Sequence, residues 1–187
     1  MAQTQTLPQR TAQRQSQLAV QSPTANSIAM HMVAESLSSC AHKMGLGASS
    51  LVLKRLRHGD STACSYCLYS LSRQVAESLG SQDHHTQAVY LFEPDATPQD
   101  LCFADEADRA PLIHLIVHVS RQTAALDALV ATLDRALVQA WANALDHKPQ
   151  QTLLDVHVID DTAVASHTGY GALLYSVHNR PIRIWAR

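Results

Sequence analysis

Apolar residues recur every three to four positions from about residue 26 to residue 80 and every second position through much of the remainder. The first rhythm predicts helices. One starts at Asn26 or Ser27 and carries Ala29, Met30, Val33, Leu37, Cys40 and Met44 on one stripe, with Gly45 as its stop. A short helix over 49–58 carries Leu53 and Leu56 and ends in Lys54, Arg55, Arg57 and His58, cations that suit the negative end of a helix dipole. Asp60 or Ser61 then caps a third helix with the stripe Cys64, Cys67, Leu68, Leu71, Val75 and Leu79, closed by Gly80.

The second rhythm predicts strands at 87–93, 112–119 and 152–159, and a hairpin of 172–178 with 182–186 turning on Asn179, Arg180 and Pro181. Between the second and third of these strands lies the longest helix. It opens at Ser120 or Thr123, runs to about Asp146 and is ended by Pro149, with Leu126, Val130, Leu133, Leu137, Trp141 and Leu145 down one side and alanines keeping it slim. Helices followed by strands without strict alternation favour an α+β fold. The expected architecture is a set of N-terminal helices and a mostly antiparallel five-stranded sheet with one long crossing helix. This order of elements resembles that of the roadblock/profilin-like sensor folds. Residues 1–23, rich in Gln and Thr and without an apolar period, are expected to be a disordered tail, and 24–187 a single domain.

Composition narrows the function classes. With 14 Lys+Arg against 16 Asp+Glu the formal charge is -2, which gives no field to attract nucleic acid or an anionic membrane. No apolar run approaches the roughly 20 residues that span a bilayer, and residues 1–23 lack the apolar stretch of a secretory signal. A cytoplasmic protein is expected, with its four cysteines, Cys40, Cys64, Cys67 and Cys102, reduced. The connection 94–111, with Asp95, Asp100, Asp105, Glu106 and Asp108 against Arg109, reads as an acidic surface loop.

The sharpest local motif is CSYC at 64–67. Two thiols three residues apart near a helix start can pair in redox chemistry or share a metal. Over about a dozen residues the motif resembles the helical CxxC of alkylhydroperoxidase-D and carboxymuconolactone decarboxylase relatives. Those proteins carry a histidine where this chain has Leu71, so the resemblance lends no proton relay and no activity. A zinc site would need two further ligands, for which Cys40, Cys102, His42 and His58 are the candidates. The plainer reading is core packing, since Cys40, Cys64 and Cys67 all fall on apolar stripes.

A second constellation lies on the strands. Opposite the apolar face of 112–119 stand His114, Ile116 and His118, and opposite that of 152–159 stand Asp155 and His157. If the two strands are neighbours, a histidine and an aspartate can meet across them. His114 and His118, ~13 Å apart along a strand, cannot share one metal. Tyr175, Ser176, His178, Arg183 and Trp185 could extend either face. The alternative is an ordinary wet side of an antiparallel sheet.

Three weaker signals complete the inventory. KRLRH at 54–58 could hold an acidic group or be a solvated helix end. SLSRQVAESLG at 70–80 is similar to the first helix and turn of helix-turn-helix regulators, but the segment after it has strand chemistry. HTGYG at 167–171 is too short for a phosphate loop and reads as a turn.

No assembled catalytic set emerges, so an enzyme is not expected and no cofactor is implied. The leading expectation is a non-catalytic module that binds a protein partner or self-associates, as a homodimer for instance, through the polar face or an edge of its sheet. His114, His118, Asp155, His157 and Trp185 are the binding candidates. The alternatives are a thiol-redox or zinc protein using Cys64 and Cys67, and a DNA-binding regulator.

Overall fold

Thr24, in extended backbone, accepts a hydrogen bond from the Ser27 amide and starts α1 (Ala25–Lys43). The structure is a computed structural model that describes residues 24–92, 113–146 and 151–187. The expected tail at 1–23, the acidic connection, Cys102 and Pro149 lie outside those residues. After α1 come α2 (Ser49–Arg57) and α3 (Ser61–Gln82), the latter capped by the Asp60 carboxylate on the Ala63 amide at 2.9 Å. Then follow β1 (Thr86–Leu91), β2 (Ile113–Val119), α4 (Ala124–Leu145), β3 (Leu154–Asp160), α5 (Asp161–Ala165), α6 (Tyr170–Leu173) and β4 (Ile182–Ala186). The class is α+β, with helices preceding a sheet.

The sheet departs from expectation in strand number and direction. It has four strands in the order β3-β2-β1-β4. β1 is antiparallel to β2 and β4, whereas β2 and β3 are parallel. The cause is α4. Its 22 residues span ~33 Å, enough to carry the chain from the far end of β2 back to the end where β2 began, so β3 must run the same way. The expected fifth strand at 172–178 is absent. α6 takes its first residues, and Tyr175 and Val177 point outward, 55% and 90% exposed.

One sheet face carries the core. Val89, Leu91, Ile113, Leu115, Val117 and Val119 are buried there with residues of α1, α3 and α4. α3 packs on β1, β2 and β4, and α1 packs on both α3 and α4. Two details of the helices differ from the sequence reading. Met30 is 56% exposed, because the buried side of α1 runs through Ala29, Met32, Val33, Leu37, Cys40 and Ala41. Gly80 does not end α3, which continues to Gln82. Its missing side chain instead admits the Trp185 indole, whose ring carbons lie 2.2–2.4 Å from where a Cβ would stand.

Asp134 of α4 fixes the entry to β3. Its Oδ1 accepts from the Leu153 and Leu154 amides, both at 2.8 Å, and its Oδ2 from the Thr152 hydroxyl at 2.9 Å. One carboxylate thus satisfies two backbone donors that no strand ladder reaches from that side.

Two stability measurements follow. Asp134→Ala strands those donors and should lower unfolding free energy by about 1–3 kcal/mol in urea titration, against a much smaller change for the exposed neighbour Arg135→Ala. Gly80→Ala should destabilise the protein although alanine is the better helix former by ~1 kcal/mol, and in a Trp185→Ala background the same change should become neutral or stabilising.

Candidate functional site

Parallel register places residues of like parity side by side. His114 stands opposite Asp155, Ile116 opposite His157 and His118 opposite Ile159. From the other side, Ala88 and Tyr90 of β1 stand opposite His118 and Ile116, and Arg183 of β4 opposite Tyr90. These residues share the face turned away from the core. It is not simply a wet surface, since Ile116, Ile159 and Ala88 are buried at 0%, 5% and 6% exposure. α5 and α6 fold back over β3 on this side.

Two imidazoles converge on one carboxylate. His114 Nδ1 lies 2.8 Å and His157 Nε2 3.2 Å from the same oxygen, Oδ2 of Asp155. An ionised carboxylate only accepts, so each imidazole donates to Asp155 through the nitrogen that faces it. The His157 ring also stacks on Tyr170, with centroids 3.6 Å apart and planes at 14°. His118 belongs to a separate pair. Its Nε2 lies 2.8 Å from Oδ1 of Asp161, whose Oδ2 accepts from Gln87 at 3.5 Å. Trp185 is not part of the cluster. It lies opposite Val89 on β4 and packs toward the core, against Gly80.

The cover over this face is itself tightly built. Asp160 caps α5 through the Ala163 amide at 2.8 Å, and the Ala163 carbonyl accepts from Thr168 at 3.1 Å. Gly171 approaches so closely that a Cβ would stand 2.3 Å from that carbonyl oxygen. HTGYG, expected as a turn, is one only up to Gly169; Tyr170 and Gly171 open α6, which delivers Tyr170 to His157. His167 in the same turn stacks on Tyr175 at 4.1 Å.

Chemically, the cluster is an oriented pair of imidazoles on a shared carboxylate with an aromatic lid. Among the described residues no three His, Cys, Asp or Glu side chains are placed to hold a metal ion. Asp161 and Tyr170 were not anticipated as members. Asp161 follows directly on the last residue of β3, where parity no longer applies, and Tyr170 reaches the sheet only because the turn folds back.

The other sequence candidates take different places. Cys64 is disulfide-bonded and Cys40 and Cys67 are free thiols, so the CxxC cysteines are not bridged to each other, and the expectation of reduced cysteines does not hold at Cys64. Leu71 is fully buried. In the basic run, Arg57 donates to the carbonyls of Leu145 and Ala144 at the end of α4, at 3.1 and 3.4 Å, and Arg55 pairs with Asp60 at 3.2 Å. The segment after α3, where a DNA-reading helix would lie, is β1.

Substituting Gly171→Ala should lift α6 off α5 and release Tyr170 from His157. Hydrogen exchange should quicken for amides of 161–176 while those of α3 and α4 keep their protection, and equal protection throughout would refute this packing.

No family model, no curated protein and no solved structure matches the chain.

Proposed function

We propose that the protein is a non-catalytic association module that pairs with a second copy of itself through the covered sheet face and its rim. One observation carries the reading: Tyr170, which stacks on His157, and Tyr175 and Val177, which follow it in the segment after β3, are 37–90% exposed. Single exposed apolar residues are ordinary, but several together with two tyrosines supply what interface centres use, rigid aromatic area with few charges to desolvate. The His114–Asp155–His157 bonds and the two ring stacks hold that segment in place before any partner arrives.

The face is favoured over the edge. β4 is bounded on one side by Pro181, carries Arg183 and is paired with β1 through a register irregularity between Val89 and Tyr90. Proline, charge and bulge are the usual means of blunting an edge strand. No helix among the described residues is long and apolar enough to cross a membrane. The bridge at Cys64 sits awkwardly with the reducing cytoplasm expected from sequence.

Light scattering over a range of concentrations tests the reading. The native chain should exceed the mass of one chain, and Val177→Asp, at a side chain with no packing to lose, should return it to a monomer without lowering its melting temperature. Tyr175→Ala should weaken association by at least about 1 kcal/mol. A mass of one chain at every concentration, unaltered by either substitution, contradicts self-association.

A further inference from the structure

The basic run KRLRH borders an apolar groove at the corner between α1 and α2. α1 ends in a Schellman motif: Gly45, at a φ of 66°, donates its amide to the His42 carbonyl at 3.1 Å, and the Leu46 amide donates to the Ala41 carbonyl at 2.8 Å. Leu46 is thereby fixed in the short connection to α2. On α2, Leu51, Lys54, Arg55 and His58 follow at the i, i+3, i+4 and i+7 spacing of one helical stripe, while Val52 and Leu56 turn into the core. Leu46 and this stripe line one groove of about 360 Å³. The groove is apolar at Leu46 and the 45%-exposed Leu51, and cationic along Lys54, Arg55 and His58.

These cations are not needed to satisfy the end of α2. The Lys54 carbonyl accepts from His58 Nδ1 at 2.7 Å, the Arg55 carbonyl from the His58 and Asp60 amides at 3.0 and 3.1 Å, and the Leu56 carbonyl from the Gly59 amide at 3.2 Å. Arg55 gives one guanidinium nitrogen to the Asp60 carboxylate at 3.2 Å, and Lys54 makes no ion pair among the described residues. Arg57, which serves the end of α4, does not line the groove. Two permanent cations and an imidazole therefore border one side of it, with a single carboxylate answering Arg55 alone.

We propose that this groove binds a small amphiphilic anion, a free medium-chain fatty carboxylate, with its alkyl tail on Leu46 and Leu51 and its carboxylate at Lys54 and Arg55. Charge complementarity selects the sign of the ligand. The stripe selects its length, since Leu51 to His58 spans ~10 Å at 1.5 Å per residue, about the length of extended octanoate. The volume falls at the lower end of small-molecule pockets. A protein partner would need roughly 800 Å² from each side, far more than one exposed leucine offers. An anionic membrane surface is disfavoured by the net charge of -2. α2 packs on α1, α3 and α4, so the site stands apart from the histidine face and does not depend on self-association.

The test is titration of octanoate into the full chain, followed by calorimetry and by amide NMR shifts. One octanoate per chain is expected with a Kd at or below about 1 mM and with shifts centred on residues 46–58. Butyrate keeps the charge and loses most of the tail; octanol keeps the tail and loses the charge. Each should bind at least about tenfold more weakly, a buried methylene being worth up to about fourfold. Leu51→Ser should weaken octanoate binding about tenfold, and Lys54→Gln about threefold, the scale of an exposed ion pair. Both side chains are exposed, so both variants should keep the native circular dichroism. No saturable binding below about 10 mM, equal affinity for butyrate or for octanol, or octanoate binding unaltered by both substitutions overturns the proposal.

Discussion

The parallel alignment of β2 with β3 decides what the second face of the sheet can do. In the observed register His114 lies beside Asp155 and Ile116 beside His157, which allows one carboxylate to serve two imidazoles. An antiparallel pairing of the same two strands, with Ile113 opposite Asp160, would set His118 against Asp155 and leave His114 beside Ile159. The direction is imposed by α4, whose length returns the chain to its starting edge, and the position by Asp134, which grips the backbone at 153–154. A helix contact on the core side thus sets the chemistry on the opposite side.

Much of this was legible in the sequence. Alternation marked β1, β2, β3 and β4 to within a few residues, and parity alone put His114, His118, Asp155 and His157 on one face. Strand direction was not legible from alternation, because a period of two is the same for either sense. The signal lay in the connection: a long helix between two strands is the mark of a parallel crossover. Residues 172–178 alternate as a strand would, but alternation cannot reveal whether a sheet edge is free to receive them. Gly171, fitting against the Ala163 backbone, draws the chain over β3 instead.

Side-chain placements at helix junctions were the least legible. Cys40, Cys64 and Cys67 fall on apolar stripes, and the stripes do face the core. Adjacency in sequence suggested Cys64 with Cys67, yet Cys64 is bridged elsewhere, and the Cys40 thiol of α1 lies 3.5 Å from the Ala63 carbonyl oxygen of α3. Only the crossing of α1 over α3 makes that association. Arg57 tells the same story: its dipole-friendly position on α2 was readable, while its grip on the end of α4, 88 residues along the chain, was not. The helices set the core, and their junctions and the fold-back after β3 hold the groups that carry chemistry.

A double-mutant cycle between His114 and Asp155 tests the register on which the histidine face rests. The account predicts a coupling energy of at least about 0.5 kcal/mol for His114→Ala with Asp155→Ala, and additivity within about 0.3–0.5 kcal/mol for His118→Ala with Asp155→Ala. Coupling of His118 rather than His114 to Asp155 would mean the strands run in opposite directions, and the cluster described here would not exist.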